Sequence, residues 1–118
     1  MIGKLHALVI DCEDPDTLAA FYQELLGMTR VHEEDGFISI GDAAGVPSVD
    51  FQRVERLVRP QWPDADHPQQ MHVDVLVDDL DAGEAAVLRL GATSLDAGTE
   101  TFRVYADPSG HPFCLVLS

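Results

Sequence analysis

Two histidines stand near the head of two aliphatic runs, His6 in KLHALVI and His72 in MHVDVLV. A neutral imidazole offers one ring nitrogen as a base or metal ligand and the other as a donor. Asp74 follows His72 at i+2, and residues two apart on an extended strand share a face. That spacing suits an acid–base couple, or two ligands of a metal that finds at least one further strong donor. A lone strand histidine is ordinarily a satisfied polar group, but two histidines heading two similar segments strengthen the metal reading. The other residues with chemistry to offer are Asp50 and Gln52 in SVDFQRV, Arg103 and Tyr105 in FRVYA, Cys114 in PFCLVLS, and Trp62, the sole tryptophan. No single one of them reads as a catalytic residue.

The elements that must position these groups come as a repeat. Met71 to Val77 reads as a strand with Met71, Val73, Val75 and Val77 on one face and His72, Asp74 and Leu76 on the other. Asp78-Asp79 then starts a helix that Gly91 closes. Residues 5 to 27 have the same form, with a strand over 4–10, a helix opened by Asp14-Pro15 and a stop at Gly27. Leu18, Phe21, Tyr22, Leu25 and Leu26 make one apolar stripe on that helix. The repeat sets His6 against His72. Three strands follow each helix, over 29–33, 37–40 and 46–54, and over 93–95, 102–106 and 113–117, with turns at Asp35-Gly36 and Asp107-Pro108-Ser109-Gly110.

The fold class is therefore α+β, two tandem β-α-β-β-β modules within a single domain of 118 residues. Module 1 spans 1–54, a proline-rich linker 55–70, and module 2 71–118. Each helix covers one face of its sheet, and the curved sheets are expected to enclose a cavity with their other faces. Alternation assigns Val49, Phe51, Phe102, Val104, Phe113 and Leu115 to the helix sides. The concave, ligand-binding side then collects His6, Asp50, Gln52, His72, Asp74, Arg103, Tyr105 and Cys114, with Trp62 at its mouth as a stacking group or as a local packing anchor. So many polar side chains on one sheet face point to a solvated pocket.

The formal net charge is −14, from 21 acids against 7 bases. That balance excludes nucleic acid and anionic membrane as expected partners and is compatible with a cationic ligand. No apolar run approaches the ~20 residues that span a bilayer, and the first residues do not read as a signal peptide. Two cysteines make no disulfide framework. The expectation is a cytoplasmic protein.

The repeated unit, HVDVLVDDLDAGEAAVLRLGA and the closing ADPSGHPFCLVL together resemble the vicinal oxygen chelate superfamily, in its small glyoxalase-like, bleomycin-resistance-like branch. The resemblance covers essentially the whole chain. It implies lyase, isomerase or dioxygenase relatives, drug-binding relatives without metal, and frequent homodimers. It also implies a divalent metal held by one residue from each of four inner strands. Those positions fall on His6, on Gln52 or Asp50, on His72, and on Cys114, where the family carries a Glu. A thiol shifts metal preference away from magnesium and manganese and lacks the paired oxygens of a carboxylate. The expected protein thus binds a small organic molecule between its modules with no metal or other cofactor. The alternative is a metal-dependent enzyme of the glyoxalase type.

Overall fold

The computed structural model describes residues 1–62 and 64–118. Pro63, which with Pro60 frames Trp62 in sequence, lies outside the described residues. The order is β1 (Ala7–Cys12), α1 (Pro15–Leu26), β2 (Thr29–Glu34), β3 (Phe37–Gly41), β4 (Ser48–Arg53), β5 (Val73–Leu76), α2 (Leu80–Arg89), β6 (Thr93–Gly98), β7 (Phe102–Ala106) and β8 (Pro112–Val116). The strands form two four-stranded sheets, ordered β1-β4-β3-β2 and β5-β8-β7-β6. Two β-α-β-β-β modules are thus present, as the repeat predicts. The chain divides into compact units at Met1–Leu57 and Val58–Ser118, so most of the proline-rich segment associates with the second unit.

In the first unit Asp14 caps α1, accepting from the Thr17 amide at 3.2 Å and from the Thr17 hydroxyl at 2.7 Å. Pro15 occupies the first helical turn, and Gly27 ends the helix in the left-handed region at φ 67°. Leu18, Phe21 and Tyr22 are buried on the stripe that the 3.6-residue period lays against the sheet. Tyr22 stacks on Phe51 of β4 with ring centroids 5.5 Å apart. Phe51 is level with Ile10 on β1 and with Ile38 on β3, which fixes the helix face of the sheet. Arg30 of β2 reaches the first turn of α1, 2.8 Å from Asp16.

The second unit repeats the scheme. Asp79 caps α2 by accepting from the Ala82 amide at 2.9 Å. Gly83 on the buried side of α2 lets the helix approach closely, since a Cβ there would lie 3.0 Å from Leu115. Leu115 and Phe113 of β8 are level with Val75 and Val73 of β5, and these four define the helix face. Arg103 plays the part of Arg30, bonding to Asp81 at 2.7 Å and to Glu84 at 2.9 Å on α2. The buried Asp107 holds the expected turn by accepting from the Ser109 and His111 amides. Among the described residues no helix is long and apolar enough to cross a membrane.

Candidate functional site

The face of the second sheet opposite α2 carries the expected residues of module 2 in part. Asp74 is level with Cys114 across the parallel β5–β8 pair, and Val104 is level with Cys114 on β7. All three therefore project on the side opposite Leu115 and α2. His72 precedes β5, and its Nε2 lies 3.1 Å from Asp74 Oδ1. Its Nδ1 lies 3.4 Å from the Gln69 side-chain oxygen. Trp62 stacks on the His72 ring, centroids 6.3 Å apart and planes 3° from parallel. The donor atoms of His72, Asp74 and Cys114 all lie within 4.8 Å of one another. Cys114 is 4% exposed. Burial first, and then the neighbouring Asp74, push its thiol up to about 11, so on its own it stays protonated near neutral pH and is no nucleophile.

Arg103 and Tyr105 are not on this face. Their register partners are Leu115 and Phe113, so both point toward α2. Arg103 is held by Asp81 and Glu84, and the Tyr105 hydroxyl donates to Glu84 at 3.1 Å. Phe102 and Val104, expected on the helix side, instead share the face of Cys114 and Val116. Polar residues alternating with apolar ones ordinarily turn their polar side to water. Here the acids of α2 satisfy Arg103 and Tyr105, and β7 turns its apolar residues Phe102 and Val104 to the face opposite α2. Desolvation, then the hydrogen bond to Glu84, raises the Tyr105 phenol to about 12. A raised folded-state pKa gives stability that is intact below the ordinary tyrosine value near 10 and is lost as pH climbs toward 12. Tyr105→Phe should flatten the fall in chemical-denaturation midpoint across that window. An unchanged slope would contradict the assignment.

The first unit presents a cleft of about 510 Å³ on the face away from α1, within the range of small-molecule sites. His6, Val9, Phe37, Ser39, Ser48 and Asp50 line it, with His32 and Glu34 beside them. Asp50 is 5% exposed and accepts from the Ser48 hydroxyl at 2.7 Å. Gln52, two residues on, shares the face of Asp50 but is exposed. His32 and Glu34 were not singled out from sequence. Their i, i+2 spacing on β2 was the available signal, and they meet at 2.9 Å.

His6 lines the cleft, although not by the alternation that assigned it. The face of Phe51 also takes Leu8 and Ile10, the two residues that share its strand parity. Asp14 corresponds to Asp79 as helix cap, and Leu8 and Ile10 to Val73 and Val75 as helix-facing pairs. This alignment sets His72 against Ala7, one residue past His6. The strand begins at Ala7, so His6 is outside the regular pleat. A slip of one residue exchanges faces on a strand, and the two histidines are consequently not equivalent. Of the four implied ligand positions, His72 and Cys114 come together on one sheet, where Asp74 supplies a carboxylate from the neighbouring strand. A thiol, an imidazole and a carboxylate fit a thiophilic divalent ion better than magnesium.

The sequence profile of the glyoxalase-like domain matches residues 7–116. Among curated proteins, no sequence matches the chain. Solved structures share the fold. A glyoxalase/bleomycin resistance protein/dioxygenase family enzyme from Burkholderia phytofirmans aligns with a TM-score of 0.75 at 18% identity, covering 98% of each chain. A fosfomycin resistance protein from Mesorhizobium loti aligns at 0.74 and 16%, covering 98% of this chain and 92% of its own. An antibiotic-binding protein from a Streptomyces species aligns at 0.62 and 18%, covering 98% and 96%. With the profile spanning nearly the whole chain and the β-α-β-β-β unit present twice, the protein belongs to the glyoxalase-like domain family of the vicinal oxygen chelate superfamily.

Proposed function

We propose that the protein binds a small, positively charged organic molecule with aromatic character, such as a natural-product antibiotic, and that Asp50 is its anchor. One observation carries this reading. Asp50 is a nearly buried acid on the wall of a cleft, and none of the described residues lining that cleft is a lysine or arginine. A buried carboxylate needs a compensating cation or a set of donors, and Ser48 supplies one donor. Phe37 and Val9 beside it offer apolar surface for a ring. The overall charge of −14 favours the approach of a cation. The fosfomycin resistance and antibiotic-binding relatives support a small-molecule role at the level of the family.

Titration calorimetry with matched cationic, neutral and anionic aromatic compounds tests the proposal. The cationic member of each set should bind and the anionic member should not, and added salt should weaken binding only moderately because the anchor is buried. Equal affinity across the three charge states would contradict it.

A further inference from the structure

We propose that the second unit carries a binding site for a small aliphatic carboxylate, built by the proline-rich segment and the turn before β8, with Arg59 as its anchor. All of its lining residues belong to Val58–Ser118. None of them is a position at which an implied metal ligand falls, and none carries the Asp50 reading.

The pocket encloses about 480 Å³, within the range of small-molecule sites. Residues 58–61 and 67–71 line it together with His111 and Pro112, where β8 begins. The turn before β8 is well tied. Asp107 accepts from the Ser109 and His111 amides, and its own amide donates to the His111 carbonyl at 2.8 Å. Gly110 takes φ 93° in that turn, and the Arg59 guanidinium rests against it. A Cβ at Gly110 would lie 3.1 Å from Arg59 Nε and 3.3 Å from Cζ, so a side chain there would push the guanidinium away. Arg59 Nη1 donates to the Pro108 carbonyl at 3.3 Å. These contacts set the guanidinium on the turn and use one of its five N–H groups.

The surroundings of the guanidinium select the ligand's charge. The chain has 21 acids against 7 bases, yet none of the described residues lining this pocket is Asp or Glu. Arg30, Arg53 and Arg103 each pair with an acid, whereas Arg59 has no ion pair among the described residues. A carboxylate matches the guanidinium fork and can accept two parallel bonds from it. His67, His111 and three glutamines add further N–H donors. Asp64 holds the His67 ring by accepting from Nδ1 at 3.0 Å. Its other oxygen accepts from the Asp66 amide at 2.9 Å, so both oxygens of this neighbouring acid already have donors.

The apolar lining selects the body. Val58 and Met71 are 80% and 68% exposed, surface that a bound molecule would remove from water. Pro60, Pro68 and Pro112 add stiff aliphatic walls that lose little freedom on binding. No Phe, Tyr or Trp is among the described lining residues, so the match is an aliphatic acid and not a stacked ring.

The test is amide chemical-shift mapping of the labelled full chain with isovalerate, pivalate and cyclohexanecarboxylate, each compared with its primary amide. At least one acid should give saturable shifts at Gly110, His111 and Met71, and its amide should not. Arg59→Ala should weaken that binding by roughly 10–100-fold, as loss of a hydrogen-bonded charge does. Arg59→Lys should recover only part of it, because a point charge lacks the fork. Arg56→Ala removes the same charge outside the pocket and should leave binding unchanged, as should Asp50→Asn. The proposal is overturned by no saturable shift with any of the three acids, by equal binding of acid and amide, or by unchanged binding in Arg59→Ala. Equal loss in Arg56→Ala or Asp50→Asn also overturns it, as do the same shifts from inorganic phosphate at the same concentration, which would mark a general attraction of anions. Should Arg59→Ala fail to fold, full affinity in Arg59→Lys overturns it instead.

Discussion

Phe51→Ala should cost about 3–5 kcal/mol of stability, the range for emptying a fully buried aromatic site. Phe51 is 0% exposed, stacks on Tyr22 of α1 and is level with both Ile10 and Ile38. A domain is typically stable by ~5–15 kcal/mol, so the first unit should lose cooperative unfolding or shift its urea midpoint far down. Phe102→Ala is the informative contrast. Phe102 is partly exposed on the face of the second sheet opposite α2, and its removal should cost far less. Equal losses for the two variants would mean that the face assignments are wrong.

That contrast shows what the sequence makes legible. Helix boundaries at 15–26 and 80–89 follow from cap chemistry, because Asp14, Pro15, Gly27 and Asp79 each act locally. The faces of β4, β5 and β8 follow from alternation, because Phe51, Val75 and Leu115 are apolar where a helix covers them. The face of β7 does not. Its helix-side positions are Arg103 and Tyr105, made tolerable there by Asp81 and Glu84 nineteen or more residues earlier in the chain. A strand pattern by itself cannot reveal a partner supplied by another element. The histidine pairing fails for a related reason. Aligning His6 with His72 matches residue names, whereas the pleat and the helix caps align Ala7 with His72, one step away. Asp74 is the instructive gain. Alternation placed it beside His72, but only the β5–β8 register shows that it faces Cys114.

Asp50→Asn is expected to weaken binding of a cationic ligand by roughly 10–100-fold, since a hydrogen bond to a charged group contributes about 1.5–3 kcal/mol. Asparagine keeps the shape of the side chain and can still accept from the Ser48 hydroxyl, so folding should be nearly unaffected. Affinity for a neutral analogue of the same ligand should hardly change. Ser48→Ala is the opposite control, because it removes a donor to the carboxylate and keeps the charge, so affinity for the cation should be retained or rise. If Asn at this position left cation affinity intact, Asp50 would be a structural acid and the anchor would lie elsewhere.

The most direct measurement is amide chemical-shift mapping of the labelled protein during titration with the strongest cationic aromatic binder. The account predicts saturable shifts at Val9, Phe37, Ser39, Ser48 and Asp50, which surround the cleft of the first unit. It predicts little movement at Leu18, Tyr22 and Phe51, which are sealed beneath α1. Shifts confined to the α1 side of the sheet, or no saturable shifts among the cleft residues, would contradict it.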